Sequence, residues 1–404
     1  MLAPGQIMSS TLVFFVNTAA FFVSHRLPIA LEAIRRGYHV ELITGKAGSV
    51  AMDADTVLKL AEAGIVHTQV NFSRAGMNPL TETVGIIQLV RHLRKIRPDI
   101  LHCTTPKGIM YGGLAARLTR VPKLVLAQSG MGYAFTSTGK FSLSRMILKW
   151  ILGRMARVAY GHSNVSVIVQ NRDDRRSLIA AGYAKRESVL LIPGSGVDLP
   201  AYTSAKIDDK QPLILFPARM LIDKGVIECI EAARRLKTAA PNWQFVLAGS
   251  ADDANPSSIA PSQMEAWHNE GAIKWLGYVS DMTTLYAQAS IVCLPSYREG
   301  MPKSLLEAAA AGCAIVTTFT IGCREAIIQG KTGDLVPVRN SDALYLALIA
   351  LINDPERRRR YGEAGRLLAI EKFGINSVVE ATLAIYESAT ADSLKRRNPE
   401  LADV

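Results

Sequence analysis

Short apolar runs rich in Val, Ile and Leu alternate along the chain with longer segments in which apolar residues recur at helical spacing. The runs of the first half predict strands at 11–16, 39–44, 65–70, 99–103, 123–127, 165–170 and 188–192. The segments between them, such as 83–97, predict amphipathic helices. Strands that are apolar throughout and alternate with helices indicate a parallel sheet covered on both faces.

The alternation stops at 193–212, where Gly, Pro and charged residues interrupt the apolar pattern, and we interpret this segment as a linker. It then resumes and predicts strands at 212–218, 243–249, 272–277, 290–296 and 314–319. A chain of 404 residues is also too long for one ordinary core. We therefore predict an α/β protein with domains at 1–195 and 196–378, followed by a C-terminal segment, 379–404, with a helix at 381–397.

The apolar run at 12–23 has the length of a signal-peptide core, but no Lys or Arg precedes it. We expect it to form a buried first strand that runs into a loop. No stretch of 18 or more apolar residues occurs, so the pattern predicts no membrane-spanning helix. The five cysteines have neither zinc-site nor redox-motif spacing, and we expect buried free thiols in a reducing cytoplasm.

The net charge of +11 is concentrated in the first half of the chain. Residues 1–200 contain 24 Lys and Arg against 11 Asp and Glu, whereas the remainder contains 22 against 24. No zinc finger, aromatic RNA-binding motif or basic-region helix is present, so we expect an anionic membrane surface or a diphosphate-bearing acceptor rather than nucleic acid. Two basic amphipathic segments, 83–97 and 140–160, suit such a surface, although they are equally compatible with ordinary surface helices.

Candidate chemistry is densest at 291–325, where Glu299 and Glu307 stand eight positions apart. Pro302 suits the first position of a helix and Gly312 suits its stop, so the two predict a helix over 302–311. The segment leading into this helix, 300–303, would offer backbone N–H groups and the positive end of a helix dipole to a phosphate. Glu307 would then lie about a turn and a half into the helix, beside a ribose attached to that phosphate.

This spacing resembles the E-x7-E signature of glycosyltransferase family 4, whose retaining enzymes have the GT-B architecture and build capsule, O-antigen and lipid-linked glycans in bacteria. Three further stretches are similar to that family, at 24–44, 216–225 and 276–296. The resemblance runs from about residue 12 to about residue 385. It implies two Rossmann-like domains that face each other across a cleft, with a C-terminal helix that crosses back to the first domain.

The resemblance implies that the C-terminal domain binds a nucleoside-diphosphate sugar, with a UDP-sugar as the expected donor. Arg219 and Lys224 are then expected to hold the phosphates and to neutralise the leaving diphosphate without a metal or another cofactor. Glu299 is expected to position the donor sugar, and Glu307 to hold the ribose hydroxyls. The remaining expected donor contacts are Ser250, Val279, Gly300, Met301, Pro302 and Lys303.

The first domain is expected from the resemblance to hold the acceptor, a saccharide on a lipid carrier or on lipopolysaccharide. His102 has the loop context typical of the family and is a candidate catalytic residue, and Lys107 follows it. Many relatives carry a histidine just before the glycine of the next loop, where this chain has Ser129. That histidine's role is therefore not carried over, and Ser129, Gly130 and Gly132 are candidates for acceptor-side contacts.

The sequence thus predicts a retaining, metal-independent glycosyltransferase of the hexosyl or N-acetylhexosaminyl type, cytoplasmic and peripheral on the inner face of the bacterial membrane. A sugar-nucleotide epimerase or a phosphorylase of the same architecture is an alternative. A membrane-docked scaffold without turnover is another. A glycosidase is less favoured, because Glu299 and Glu307 are awkwardly spaced to face one glycosidic bond together.

Overall fold

A computed structural model of the chain describes residues 10–45, 50–72, 78–130, 143–202, 212–252 and 255–397. The chain divides into two compact units: the first is Met1–Ile192 with Val378–Val404, and the second is Pro193–Ser377. Compactness alone does not test where functional domains begin and end, so the limits at 195 and 378 stay a prediction.

The first unit contains a sheet of seven parallel strands in the order β3-β2-β1-β4-β5-β6-β7. The five inner strands are mostly apolar and buried, as parallel sheets require, whereas the edge strands β3 and β7 are largely exposed. All seven predicted strands are confirmed, with ends that differ by one residue at most. Their bounds are β1 Thr11–Val16, β2 His39–Thr44, β3 Val66–Gln69, β4 Ile100–Thr104, β5 Lys123–Gln128, β6 Val165–Val169 and β7 Val189–Leu191.

Helices connect consecutive strands of this unit, which is how parallel neighbours must be joined. They are α1 Ala19–His25, α2 Leu27–Arg35, α3 Val50–Glu62, α4 Pro79–Ile96, α5 Pro106–Thr119, α6 Leu143–Tyr160 and α7 Arg172–Ala180. The predicted loop after the first strand is wrong. Thr18 caps a helix there, because its hydroxyl accepts a hydrogen bond from the Phe21 N–H at 3.3 Å, and the buried Phe22 anchors that helix.

The second unit contains a sheet of six parallel strands in the order β10-β9-β8-β11-β12-β13. The five predicted strands are confirmed to within two residues. The strands are β8 Leu213–Pro217, β9 Gln244–Ala248, β10 Lys274–Trp275, β11 Ala289–Leu294, β12 Ala314–Thr318 and β13 Gly333–Val336. The helices are α8 Val226–Ala239, α9 Pro261–Asn269, α10 Met282–Gln288, α11 Lys303–Ala310, α12 Ser341–Asn353 and α13 Pro355–Lys372.

The edge strand β13 was not predicted, because Gly333 and Asp334 are poor strand formers. The carboxylate of Asp334 is buried, and two side chains of helix α13 form hydrogen bonds with it. Arg357 Nη2 lies 2.7 Å from Asp334 Oδ2, and the Tyr361 hydroxyl lies 3.1 Å from Asp334 Oδ1. A charged side chain therefore sits in a strand because a partner distant in sequence neutralises it.

The last helix, α14 Ile375–Arg397, leaves the second unit and packs on the first, as predicted. Arg36, at the end of α2, forms ion pairs with Glu380 and Glu387 of α14, and its Nη1 lies 2.7 Å from Glu387 Oε1. Tyr386 of the same helix is fully buried. No helix within the described part of the chain is both long and apolar enough to cross a membrane.

Candidate functional site

The carboxyl edge of the second sheet gathers the residues predicted to bind the donor. Strands β8 and β11 are neighbours in the middle of this sheet. Arg219 follows the end of β8 by two residues, and Glu299 follows the end of β11 by five. Because parallel strands all end at the same edge, both side chains start from one side of the unit, which is where α/β sheets bind their ligands.

Lys224 and Glu299 are joined directly by an ion pair between Nζ and Oε1. Lys224 ends a short 3-10 helix, Ile222–Lys224, and the side chains of Lys224 and Glu299 are only 21% and 13% exposed. Ser296 donates its hydroxyl to the same Glu299 oxygen at 2.7 Å. The loops after β8 and β11 are therefore connected through two of the predicted catalytic residues.

Two glycines allow the backbones around this pair to approach closely. Gly225 has φ +79°, and a Cβ at this position would lie 2.3 Å from the carbonyl oxygen of Pro295. Gly322 has φ +82°, and a Cβ there would lie 2.5 Å from the carbonyl oxygen of Glu299. A side chain at Gly225 would force the Lys224 segment away from the loop after β11, and one at Gly322 would displace the backbone of Glu299 itself.

Arg219 is paired with a residue that the sequence did not single out. Its Nη1 donates to Oδ2 of Asp252, in the loop after β9. The Asp252 side chain is 7% exposed, whereas that of Arg219 is 44% exposed. A guanidinium carries five N–H donors in a planar fork, so one carboxylate contact leaves donors for a phosphate.

Ser250 and Val279 follow β9 and β10 at the same edge. The Ser250 carbonyl accepts a hydrogen bond from the Met220 N–H at 3.0 Å. The preceding residue, Gly249, donates its N–H to the carbonyl of Gly277 at 2.7 Å. These bonds tie together the ends of β8, β9 and β10, and they place half-buried Ser250 beside the segment of Arg219.

Helix α11 begins one residue later than predicted. Pro302 has the extended backbone angles φ −70° and ψ 113°, so it precedes the helix as its N-cap residue and Lys303 is the first helical residue. Gly300, Met301 and Pro302 are buried and lead into the first turn. The N-terminal end of this helix, with its N–H groups and positive dipole, therefore follows the Glu299 loop directly.

Glu307 is held on α11 by hydrogen bonds and charge. Its Oε2 lies 3.2 Å from the hydroxyl of Tyr286, and its Oε1 lies 3.5 Å from Nζ of Lys303. Burial, and then the Glu307 charge, raises the pKa of Tyr286 and of Tyr202 well above that of an ordinary phenol. Both phenols therefore remain protonated, and the hydroxyl of Tyr286 provides the carboxylate with a hydrogen-bond donor.

The structure places His102 within β4, Ile100–Thr104, which matches the strand predicted at 99–103, and its side chain is fully buried. Nδ1 lies 2.5 Å from the hydroxyl of Tyr386, and the ring centroid lies 5.0 Å from that of Phe14. Burial, with the charge of Arg26, holds the pKa of His102 well below its usual value. The ring is a neutral part of the core of the first unit, and its catalytic role stays a prediction.

The remaining candidates of the first unit lie after β4 and β5. Lys107 Nζ lies 3.0 Å from Oε1 of Glu82, and both side chains are largely buried. Ser129 is half-buried, and Gly130 has φ +120°. Gly132 lies outside the described residues. The acceptor-side roles of these residues stay predictions.

Three side chains that contact the site were missed by the sequence analysis: Asp252, Ser296 and Tyr286. Asp252 and Ser296 follow parallel strands, and that placement alone was a usable signal. Tyr286 belongs to the short helix α10 and is indistinguishable in the sequence from an ordinary core aromatic. Among the residues that the structure describes, no group of three or more His, Cys, Asp or Glu is placed to hold a metal ion.

Two family models match the chain. The model described as glycosyl transferase 4-like matches residues 11–162, and the model described as glycosyl transferases group 1 matches residues 203–368. The first match falls within the first unit and the second match within the second unit. The two matches together span most of the chain.

Curated proteins and solved structures agree with these matches. An N,N'-diacetylbacillosaminyl-diphospho-undecaprenol α-1,3-N-acetylgalactosaminyltransferase of Campylobacter jejuni is 29% identical over 81% of this chain and 87% of its own length. A UDP-Gal:α-D-GlcNAc-diphosphoundecaprenol α-1,3-galactosyltransferase of Escherichia coli is 24% identical, over 67% and 70% of the two chains.

The crystal structure of Anabaena HepE in complex with UDP and glucose has a similar fold. Its TM-score is 0.73 at 18% identity, over 94% of this chain and 100% of that one. The two parallel sheets, the two family matches and the structural likeness agree with one another. The chain is a glycosyltransferase with the GT-B fold and belongs to glycosyltransferase family 4.

Proposed function

We propose that the protein transfers a sugar from a UDP-sugar to a saccharide carried on a lipid diphosphate, with retention of configuration and without a metal ion. The observation that carries this proposal is the grouping of Arg219, Lys224, Glu299 and Glu307 in the loops and helix at one edge of the second sheet. Two cations suit a diphosphate, and two carboxylates suit sugar and ribose hydroxyls.

The cations would act mainly on the leaving group. As the bond between the sugar and the diphosphate breaks, negative charge grows on the phosphate oxygens. Arg219 and Lys224 are attached to one short segment, and donors fixed in advance stabilise such charge best. Asp252 and Glu299 are paired with these two cations, so each cation starts beside a carboxylate.

The carboxylates would orient the donor rather than react with it. Glu299 is fixed by Lys224 and by Ser296, so it presents a positioned acceptor to the hydroxyls of the donor sugar. Glu307 is fixed by Tyr286 and would accept hydrogen bonds from the ribose. In the proposed reaction the acceptor hydroxyl attacks the anomeric carbon on the face that the diphosphate leaves. The departing phosphate oxygen takes the hydroxyl proton, so charge and protons balance without a protein nucleophile.

The names of the relatives support the acceptor and the stereochemistry. Both are named for transfer to a sugar on diphosphoundecaprenol, and both names specify an α linkage. The E. coli enzyme is named for UDP-Gal. Since the common UDP-hexoses carry their sugar in α linkage, an α product corresponds to retention. We therefore propose an undecaprenol-linked saccharide as the acceptor, ahead of a lipopolysaccharide core.

An enzyme with a lipid acceptor must act at a membrane surface, and one face of helix α6 has residues suited to binding a membrane. Met146 and Trp150 are 61% and 67% exposed, and Ile151 is also exposed. The guanidinium of Arg154 lies 5.9 Å from the ring centroid of Trp150. Exposed apolar residues beside a cation suit an anionic interface, so we propose peripheral attachment to the inner face of the cytoplasmic membrane.

The proposed reaction is tested with UDP-sugars that carry a radioactive label and with lipid extracted from bacterial membranes. We expect label from one of UDP-Glc, UDP-Gal, UDP-GlcNAc or UDP-GalNAc to enter the organic phase, with EDTA having no effect. NMR of the product should show an α linkage. A β linkage would overturn retention, and full turnover by Glu307→Ala would overturn the assignment of the site.

Membrane attachment is tested separately by sedimentation with vesicles. We expect binding to vesicles that contain phosphatidylglycerol, weaker binding to phosphatidylcholine alone, and release at high salt, since charges at a surface are screened within about 8–10 Å at physiological ionic strength. The variant Trp150→Ser should bind more weakly. Equal binding to both kinds of vesicle would overturn the electrostatic part of this proposal.

A further inference from the structure

The segment that carries both cations, residues 219–224, is held along its length by a second segment, residues 250–259, of which 253 and 254 lie outside the described residues. The isolated antiparallel bridge between Leu221 and Ser258 shows that the two run side by side. Backbone hydrogen bonds join them at three places: Met220 N to Ser250 O at 3.0 Å, Ile222 N to Ser257 O at 2.8 Å and Ile259 N to Met220 O at 2.9 Å.

Asp252 is fixed within the second segment. Its own N–H donates to the hydroxyl of Ser258 at 2.9 Å, and its carbonyl accepts from the N–H of Asn255 at 2.7 Å. Its carboxylate accepts a hydrogen bond from Nη1 of Arg219. The backbone of Asp252 is therefore fixed by hydrogen bonds, and its buried carboxylate contacts the guanidinium of Arg219.

We propose that Asp252 is a positioning residue for the donor, which orients the Arg219 guanidinium so that its remaining N–H groups meet the diphosphate. This inference rests on the proposed function of the same site. A long arginine side chain loses conformational freedom when it binds a phosphate, and a fixed carboxylate removes much of that freedom beforehand. Asp252 thereby raises affinity for the phosphates without touching the donor.

The opposite role would be competition, in which the donor must displace Asp252 from Arg219. The burial of the two partners argues against it. Separating the pair would take the Arg219 hydrogen bond and charge away from the buried carboxylate of Asp252, which is more unfavourable than sharing Arg219 between two anions. The half-exposed Arg219 has donors for both. The two roles predict opposite effects of neutralising Asp252.

The test compares Asp252→Asn with the unaltered protein by calorimetric titration of UDP and of uridine. We expect the affinity for UDP to fall about tenfold, the size of effect given by one charged hydrogen bond. Uridine has no phosphate, so its affinity should stay unchanged. A variant that binds UDP as tightly as the unaltered protein, or more tightly, would overturn the inference. So would an equal loss for UDP and uridine, because that result indicates general damage to the site.

A matched control is Asp342→Asn, which breaks an Arg–Asp pair of the same unit in which Asp342 is 83% exposed. It should leave UDP binding unchanged. If Asp252→Asn fails to fold, Asp252→Glu replaces it. That variant retains the charge but displaces the guanidinium, so the same loss confined to UDP is expected. If the unaltered protein binds neither UDP nor uridine, the proposed function and this inference are both wrong. If an active Asp252 variant binds UDP as tightly as the unaltered protein, only this inference is wrong.

Discussion

The hydroxyl of Tyr286 lies 3.2 Å from Oε2 of Glu307, so a fully buried phenol supports the carboxylate that is expected to bind the ribose. The same hydroxyl lies 3.0 Å from the carbonyl oxygen of Ser304. Tyr286 comes from α10 and Glu307 from α11, so the contact fixes a side chain of one helix from a second helix. The orientation of Glu307 therefore depends on a residue that does not itself need to reach the donor.

We expect Tyr286→Phe to raise the KM for the UDP-sugar about fivefold, because the lost hydrogen bond is worth about 1 kcal/mol net. The ring that fills the core remains, so kcat should change less than KM. Initial rates at varied donor concentration measure both values. Tyr345→Phe, on α12, is the matched control and should leave the KM unchanged. Equal effects of the two variants would contradict the role given to Tyr286.

Neutralising Glu299 should separate catalysis from binding. Glu299→Gln keeps the size of the side chain and an oxygen for Ser296, but it loses the charge that faces Lys224. We expect kcat to fall on the order of 100-fold, the effect typical of losing one positioned polar group in an active site. The affinity for UDP should fall much less than kcat, since Lys224 keeps its charge and UDP lacks the sugar that Glu299 is expected to position. Single-turnover rates and UDP titration measure the two quantities.

The control for Glu299 is Glu363→Gln, an exposed residue of α13, which should leave the rate unchanged. Retention of the full rate by Glu299→Gln would remove Glu299 from the mechanism. Isolation of a covalent glycosyl adduct on Glu299 would show instead that it is a nucleophile.

Replacing Gly225 by alanine should lower the free energy of unfolding more than the same replacement at Gly330, which has a similar φ but open surroundings. Gly225→Ala combines a left-handed φ of +79° with a clash at 2.3 Å against the Pro295 carbonyl, whereas Gly330 has φ +72° and no atom within 4 Å of its missing Cβ. Strain alone should lower the free energy of unfolding by about 1–2 kcal/mol in Gly330→Ala. We expect Gly225→Ala to lose about 1–3 kcal/mol more. Urea unfolding measures both, and equal losses would contradict the close approach.

Stability should fall on the acid side because of His102. Burial holds the pKa of His102 in the folded protein well below the ordinary value of 6.5. Just below pH 6.5, His102 is therefore protonated in the unfolded chain but not in the folded protein. The contribution of His102 to stability is therefore complete above about pH 6.5 and is lost as the pH falls below that value. The slope should be about 1.4 kcal/mol per pH unit.

Urea unfolding at pH 7, 6 and 5 measures this slope. His102→Asn should reduce it by about one proton, whatever its effect on stability at pH 7. An unchanged slope in His102→Asn would show that the proton is taken up elsewhere.

The five cysteines should be unreactive in the folded protein. All five are free and buried, as the sequence predicted. Burial raises the pKa of Cys323 to about 11 and that of Cys313 to about 12, so little thiolate forms at neutral pH. Ellman's reagent should therefore detect no rapidly reacting thiol before urea is added and five afterwards. A fast thiol in the native protein would contradict the burial.

Most strands were predictable because each is a continuous apolar run, which only a sheet covered on both faces accommodates. The donor residues were predictable for a related reason: they follow strands whose carboxyl ends share one edge. Contacts between side chains distant in sequence were not predictable. His102 contacts Tyr386, which lies 284 residues further along the sequence, and Arg219 pairs with Asp252, 33 residues further along. No local pattern encodes such pairs.

Errors at the ends of elements have local causes. Pro302 suits the first position of a helix, yet its observed angles are extended, and only the structure distinguishes an N-cap residue from a first helical residue. The apolar run at 12–23 changes from strand to helix at Thr18, because its hydroxyl caps the new helix. Hydrophobicity alone does not mark that change.

The last helix makes the first unit discontinuous along the chain, whereas the second unit is one continuous stretch. During synthesis on the ribosome, residues 193–377 emerge as one uninterrupted stretch that contains every strand of the second sheet. The earlier residues must wait for the last helix before His102 contacts Tyr386 and before Arg36 pairs with Glu380 and Glu387. A nascent chain interrupted before residue 378 would thus carry an unfinished first unit, a form that chaperones and proteases would recognise.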